Sequence, residues 1–204
     1  MEQGSQEWLQ ARSGKVTASR VADVIAKTKS GYGSGRANYM AELIAETLTK
    51  TPAPNIRVNA AMQWGTDTEP QARAAYEFFT DNSVVEKGLI DHPIIPMTAA
   101  SPDGLVGTDG LVEIKCPNTA THIATLIKQK APTKYNAQMQ WQMACIEKKW
   151  CDFVSFDPRL PDDLQIFIQR VERDDDFINN AEAEIKKFQE EMAEKINILK
   201  ELQK

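Results

Sequence analysis

Asp103, Glu113 and Lys115 are the residues of this chain whose types and spacing suit hydrolytic chemistry. They lie in residues 101–117, S-P-D-G-L-V-G-T-D-G-L-V-E-I-K-C-P. An extended run ends at Asp103-Gly104, a turn forms around Gly107 to Gly110, and an apolar strand returns over 111–116. Asp-Gly between apolar runs is a strong hairpin signal. Side chains alternate along a strand, so Glu113 and Lys115 share one face while Val112 and Ile114 point to the core. Asp103, at the mouth of the hairpin, comes alongside Glu113 on the partner strand. Two carboxylates and one ammonium then meet at one end of a sheet. Carboxylate oxygens suit Mg²⁺ or Mn²⁺, and the backbone carbonyl of Ile114 is a further oxygen ligand. A solvated hairpin with an ordinary Glu/Lys pair satisfies the same pattern.

The elements that must position this set follow from periodicity. Before the hairpin, Thr17 is expected to N-cap a helix carrying Val21, Val24 and Ile25, with Ser19 in its first turn. Arg12 lies just upstream, and a helix start beside an arginine suits a phosphate, although an ordinary capped helix with an exposed arginine explains the segment equally. Residues 27–36, K-T-K-S-G-Y-G-S-G-R, are glycine-rich and basic without apolar periodicity, which predicts a mobile loop. Its Lys27, Lys29 and Arg36 are candidates for phosphates and Tyr32 for stacking. The GK[ST] ending of a P-loop is missing.

An amphipathic helix is expected over 37–50, a proline-containing connector over 51–55, and a long helix over 59–80. The latter carries Met62 and W-G-T-D-T-E, whose Glu69 is a candidate third acidic ligand. Pro70 suggests a kink or a fresh helix start at Glu69. Strands are expected over 83–90 and 94–100, leading into the hairpin. Helices follow over 119–130 and 133–149, where Tyr135 and Gln138 share a face. A second hairpin covers 150–157 and 164–172, and a charged helix runs from about 174 to 202.

Length and composition bound the rest. A chain of 204 residues suits one domain, 1–204, and can bury a proper core. The formal net charge of −5 is unusual for a protein that coats nucleic acid, so any DNA-binding charge must be focused in one channel. Three cysteines without CxxC spacing argue against a disulfide framework and for a reduced, cytoplasmic protein. With only His92 and His122, a zinc site or histidine-based catalysis is not expected. His92 precedes a proline in a loop, and His122 reads as a surface helix residue. No apolar run predicts a membrane span or a signal peptide.

The D-x9-E-x-K arrangement, with a literal Pro102-Asp103, resembles the PD-(D/E)xK nuclease signature. Taken with W-L-Q-A-R-S-G-K-V-T-A-S, V-I-A-K-T-K-S-G, the W-G-x3-E of 64–69, A-A-S-P-D-G, L-V-E-I-K-C-P, A-Q-M-Q-W and F-D-P-R, the whole chain from about 6 to 192 resembles the lambda-exonuclease family of phage-type YqaJ recombinase nucleases. The resemblance implies an α/β fold with a mixed central β-sheet flanked by helices, built on a restriction-endonuclease-like core. It implies a Mg²⁺-dependent 5′→3′ exonuclease on double-stranded DNA ends, with two metal ions per active site. Such an enzyme releases mononucleotides and leaves a 3′ single-stranded overhang. It further implies a homotrimer ring, a single-strand annealing protein as partner, and a phage or prophage origin in a bacterial cytoplasm.

Residue by residue, Asp103 and Glu113 resemble the shared metal ligands, with the Ile114 carbonyl assisting, Glu69 the helix-borne acid and Lys115 the catalytic lysine. Arg12, Ser19, Ser101 and Gln138 match positions that hold the terminal 5′-phosphate. Met62 matches an apolar wedge between strands. Lys29 stands where the family inserts an arginine into the minor groove, which replaces a planar fork by a point charge. Tyr135 and Arg36 are further DNA-binding candidates. An endonuclease of the same fold and a non-catalytic DNA-end-binding recombination subunit remain as alternatives.

Overall fold

Residues 110–115, G-L-V-E-I-K, form the middle strand of a sheet covered on both faces, which is why all but the last are buried. A computed structural model describes residues 3–29, 31–53 and 60–202. In chain order its elements are α1 (Gln6–Arg12), β1 (Val16–Thr17), α2 (Val21–Ile25), β2 (Lys27–Thr28), β3 (Gly31–Tyr32), α3 (Ser34–Thr49), α4 (Ala60–Thr80), β4 (Val84–Val85), β5 (Ile90–Asp91), β6 (Thr98–Ala100), β7 (Gly104–Val106), β8 (Gly110–Lys115), α5 (Thr119–Lys128), α6 (Asn136–Ile146), β9 (Trp150–Phe156), β10 (Ile166–Glu172) and α7 (Asp175–Glu201). The expected helix start at Asn59 and the connector residues Pro54 and Asn55 lie outside the described residues.

The central sheet has the order β10-β9-β8-β7-β4. The β7–β8 hairpin turns through Gly107, whose φ of 56° is left-handed and suits glycine. β8 and β9 run parallel, and the other pairs are antiparallel, so the sheet is mixed. A parallel neighbour needs a crossover, which α5 and α6 supply. The second expected hairpin is present: β9 and β10 pair from Trp150↔Glu172 to Phe156↔Ile166. The strands expected to lead into the hairpin divide instead. β4 joins the central sheet, while β5 and β6 form a separate three-stranded sheet with β1.

Alternation along β8 and β9 sorts the two faces. Val112, Ile114, Val154 and Phe156 pack under Ala72 and Tyr76 of α4. Leu111, Cys151 and Phe153 pack under Met139 and Met143 of α6. The other side of α6 offers Ala137, Trp141, Ala144 and Cys145 to a cluster with α2, α3 and Ile178, Ile185 and Phe188 of α7. A helix enclosed on both sides is apolar all round, yet α6 carries Gln138, Gln140 and Gln142 inward, and each must find a partner. α7 is N-capped by Asp174, whose carboxylate accepts the Phe177 N–H at 2.9 Å. Among the described residues no helix is long and apolar enough to cross a membrane.

Three local expectations need correction. α4 runs unbroken through Pro70, with no new start at Glu69. A proline removes one hydrogen bond, and the burial of Ala72 and Tyr76 on the sheet outweighs that local loss. Residues 27–36 are not a loop throughout: β2 and β3 pair as a hairpin, and α3 begins at Ser34. Arg36 therefore sits in the first turn of a helix, 4% exposed, paired with Glu191 at 3.0 Å and stacked between Tyr32 and Phe188. Enclosed there, it presents no free guanidinium to a phosphate. His122 is not on the surface but fully buried, its ring 2.8 Å from Ser155 Oγ and 2.9 Å from the Leu164 carbonyl.

Candidate active site

Glu113 is a carboxylate with no exposed surface, and three side chains hold it. Gln138 Nε2 donates to Oε1 at 2.5 Å and Gln142 Nε2 donates to Oε2 at 2.6 Å. One helical turn separates the two glutamines, so both reach the same strand residue from α6. Lys115, two residues along the same face of β8, closes an ion pair with Oε1. Tyr135 flanks this set: it stacks on Phe153, the register partner of Glu113, and the Lys115 ammonium lies 5.5 Å from its ring centroid. A charge this deep is tolerated only when so paired and hydrogen-bonded.

Asp103 lies one residue beyond the last β7–β8 pair, Gly104↔Val112. With the ladder ended, its Oδ2 accepts the Ile114 N–H at 2.7 Å. Burial, then the charges of Glu113 and Glu69, push the Asp103 carboxyl well above its usual range, against Lys115 and the Ile114 hydrogen bond. Burial disfavours the Lys115 charge, but Glu113 and Asp103 outweigh it and raise its pKa, so it is an ammonium. Glu69 approaches from α4, on the other face of the sheet, and is held by Arg73 at 2.8 Å.

The donor set fits a hard divalent cation at Asp103 and Glu113. A partly buried carboxylate whose proton affinity is raised by burial and by the neighbouring charge of a fully buried one marks a place where a cation relieves repulsion. Among the described residues no three His, Cys, Asp or Glu side chains converge closely enough to hold an ion by themselves, and Glu69 is hydrogen-bonded to Arg73.

Next to Asp103 opens a cleft of about 1320 Å³ whose lining includes Arg12, Ser19, Met62 and Glu69. Arg12 closes α1, lies 4.1 Å from the Trp8 ring centroid and donates to Thr17 Oγ1 at 3.2 Å. Burial pulls the Arg12 pKa down, against the opposing charges of Tyr39, Glu46 and Glu42. Those carboxylates are engaged elsewhere, Glu46 by the Gly14 and Ala53 N–H groups and Glu42 by Arg20. Thr17 precedes a short 3-10 turn, Ala18–Arg20, without capping it through its side chain, and Ser19 is exposed there. Ser101 Oγ accepts from Trp8 Nε1 at 2.9 Å, which ties α1 to the segment entering Asp103. Met62 is half exposed at the cleft, and Lys29 is exposed beside the β2–β3 hairpin.

The structure thus brings Arg12, Ser19, Met62, Glu69 and Asp103 to one cleft and sets Glu113, Lys115, Gln138 and Tyr135 behind it. Arg36 belongs to neither group. Sequence reasoning passed over Gln142, Trp8 and Arg73. For Gln142 a signal exists: a glutamine four residues from Gln138, and so on the same face of the helix. Ser155 and His122 have nucleophile–base spacing but no exposed surface. All three cysteines are free thiols, and burial with nearby Glu69 and Asp103 pushes Cys116 up to about 12.

F-D-P-R joins this assembly from the end of β9. Asp157, fully buried, accepts from Arg159 Nε at 2.7 Å and Nη2 at 3.0 Å. The same guanidinium lies 4.3 Å from the Trp64 ring centroid and donates to the Pro117 carbonyl at 3.3 Å. It therefore clamps α4, one turn before Glu69, against the exit of β8. Burial raises the Asp157 pKa, but hydrogen bonds from Arg159 and Thr119 win and lower it to about 2. A folded pKa below the unfolded one stabilises above the ordinary carboxylate range and ceases to do so as pH falls through the folded value. Asp157→Asn is expected to cost about 2 kcal/mol at neutral pH, and the deficit should close between about pH 4 and 2. Urea unfolding of both proteins across that range measures it. A deficit that persists unchanged at the acid end would refute the assignment.

Three comparisons bear on this geometry. The family model described as the YqaJ-like viral recombinase domain matches residues 7–149. Among solved structures, the alkaline exonuclease LHK-Exo from Laribacter hongkongensis is 54% identical over 97% of both chains with a TM-score of 0.90, and its complex with dAMP matches equally. A phage related exonuclease from Haemophilus somnus 129PT shares the fold, with 17% identity over 92% of this chain and 96% of that one and a TM-score of 0.74. None of the curated proteins compared with the chain matches it.

Proposed function

Since the chain belongs to the YqaJ-like viral recombinase domain family, we propose that it is a Mg²⁺-dependent exonuclease that digests one strand of linear duplex DNA from its 5′ end. The observation that carries this reading is the Asp103–Glu113–Lys115 set, which opens through Asp103 onto a cleft with Arg12 and Ser19. The 54% identical relative is an exonuclease, and its complex with dAMP is a complex with a deoxynucleoside monophosphate, the product class of such digestion.

Asp103 and Glu113, with the Ile114 carbonyl, would hold Mg²⁺ ions, which supply Lewis-acid polarisation of the phosphate and an acidified water. Glu69 would complete the set by leaving Arg73. Gln138 and Gln142 keep Glu113 in one rotamer, so its oxygens need no reorganisation when a phosphate arrives. Lys115 is an ammonium at 27% exposure between Glu113 and solvent, placed to orient the attacking water and to offset developing phosphorane charge. Arg12 and Ser19 receive the terminal 5′-phosphate, and Trp8 holds Arg12 in register with Ser101. Each cut exposes a new 5′-phosphate, so a fixed pocket draws the strand forward by one nucleotide. Met62 stands at the cleft as an apolar wedge, and Lys29 reaches for the duplex backbone.

The assembly we propose is a ring of three identical subunits around the duplex, since a repeated head-to-tail contact closes when the rotation permits. A single-strand annealing protein would take the 3′ overhang in phage-type recombination. Linear duplex labelled at either end, with a circular control, tests the core reading. Mg²⁺ should release 5′-label first as mononucleotide, EDTA should stop it, and circles should persist. Cleavage of circles at a comparable rate would favour an endonuclease, and no cleavage of any substrate would leave a DNA-end-binding subunit. Sedimentation at micromolar concentration should give the trimer mass, and a monomer would refute the ring.

A further inference from the structure

From Ile114 to Ile146 the sequence holds no aspartate or glutamate, although the whole chain has 29 acidic residues and a net charge of −5. The same segment holds Lys115, Lys128, Lys130 and Lys134. The fold gathers the last three at one cleft of about 630 Å³ between the end of α5 and the turn before α6, floored by Thr125, Ala131 and Pro132. All three lysines are exposed. Lys27, Lys115 and Lys149 each pair with a carboxylate, whereas among the described residues Lys128, Lys130 and Lys134 pair with none. One aromatic ring lies between the cleft's Lys134 and Lys115 of the candidate active site. Lys134 Nζ lies 4.8 Å from the Tyr135 ring centroid, and Lys115 Nζ lies 5.5 Å from the same centroid.

We propose that the Lys128–Lys130–Lys134 cleft is a second nucleic-acid site, which holds the phosphodiester backbone of single-stranded DNA next to the catalytic hairpin. Uncompensated cations in an acid-free segment attract a polyanion by releasing its counterions. In an acidic protein they define where the backbone runs, because the field elsewhere repels it. Three cations confined to a cleft follow one backbone rather than the two of a duplex. Thr121, Thr125 and Thr133 line the cleft and carry no base-reading amide or guanidinium, so binding would be indifferent to sequence. The inference rests on the nuclease reading only for the origin of the strand, which is the one that digestion lays bare.

The test is fluorescence anisotropy of a labelled oligothymidylate with the intact protein in EDTA, across a potassium chloride series. Lys128→Ala/Lys130→Ala/Lys134→Ala should weaken single-strand binding roughly tenfold near 0.1 M salt and flatten the log–log salt slope by about 2, at about 0.7 for each phosphate no longer neutralised. A variant with Lys186→Ala/Lys195→Ala/Lys200→Ala on α7 removes equal charge and should leave the slope unchanged. Melting curves establish that both variants fold. Equal affinity and slope for wild type and the cleft variant would overturn the proposal, as would equal losses in the two variants. A loss confined to a blunt duplex probe would overturn the single-strand assignment. Because binding is read without metal, wild type that binds the oligonucleotide but fails to digest DNA in Mg²⁺ would sink the nuclease reading and leave the cleft standing.

Discussion

Asp103→Asn is expected to leave a folded protein whose cleavage of duplex DNA is slower by at least about a thousandfold. Loss of one carboxylate charge from a catalytic metal site removes several kcal/mol of transition-state stabilisation, and about 4 kcal/mol is three decades in rate. Asparagine keeps an acceptor for the Ile114 N–H, which Asp103 now caps at 2.7 Å, so the hairpin mouth is retained. It also relieves the mutual repulsion that pushes the Asp103 carboxyl up. The protein should therefore be no less stable than wild type in EDTA. Asp103→Ala should lose activity equally but gives up the Ile114 acceptor.

Glu113→Ala should be as inactive, with a different stability cost. It strands the amides of Gln138 and Gln142 and the Lys115 ammonium without their shared acceptor. Breaking a buried pair from one side costs about 3–5 kcal/mol. Single-turnover digestion with near-UV circular dichroism separates the two effects. Turnover within tenfold of wild type by either variant in Mg²⁺ would remove these residues from the catalytic set.

Arg12→Ala should slow digestion of 5′-phosphorylated ends roughly ten- to hundredfold and 5′-hydroxyl ends much less. A charge-assisted hydrogen bond is worth about 1.5–3 kcal/mol, which sets that range when it acts on the chemical step. The guanidinium already stacks on Trp8 and binds Thr17, so its position does not have to be found when the phosphate arrives. Burial lowers its pKa, a penalty that an incoming dianion offsets. Arg12→Lys should recover only part of the preference, because an ammonium neither stacks flat nor forks. Trp8→Phe should sit between the two, since it keeps an aromatic face but drops the hydrogen bond to Ser101. Rates for wild type and variants on both end types decide the matter. Equal slowing of phosphorylated and hydroxyl ends would show that the pocket is elsewhere.

The sequence by itself determined the β7–β8 hairpin, because its turn signal, period-2 alternation and acidic pair are all local. The β9–β10 hairpin, the two helices after the catalytic hairpin and the charged C-terminal helix were legible for the same reason. Motif order over nearly the whole chain sufficed for the family and the fold class. What escaped was set by partners distant in sequence. Nothing local says that Arg36 is enclosed by Phe188 and by Glu191, 155 residues on, or that His122 is buried on Ser155 and Leu164. Pro70 reads as a break until the sheet that α4 covers outweighs one missing hydrogen bond.

The tertiary structure likewise decided the duties of the polar residues. Gln138 is seated on Glu113 because α6 crosses directly over β8. Glu69, in contrast, meets Arg73 as an i,i+4 pair on α4, and what the layering decides is that α4 covers the sheet face opposite Glu113. W-G-x3-E and F-D-P-R were visible as separate motifs, but only packing shows that Arg159 lies on Trp64 and so joins the two. The identities of chemical groups are written along the chain. Which of them face one another depends on the register and layering of a core that forms cooperatively, and that is where local spacing stops carrying information.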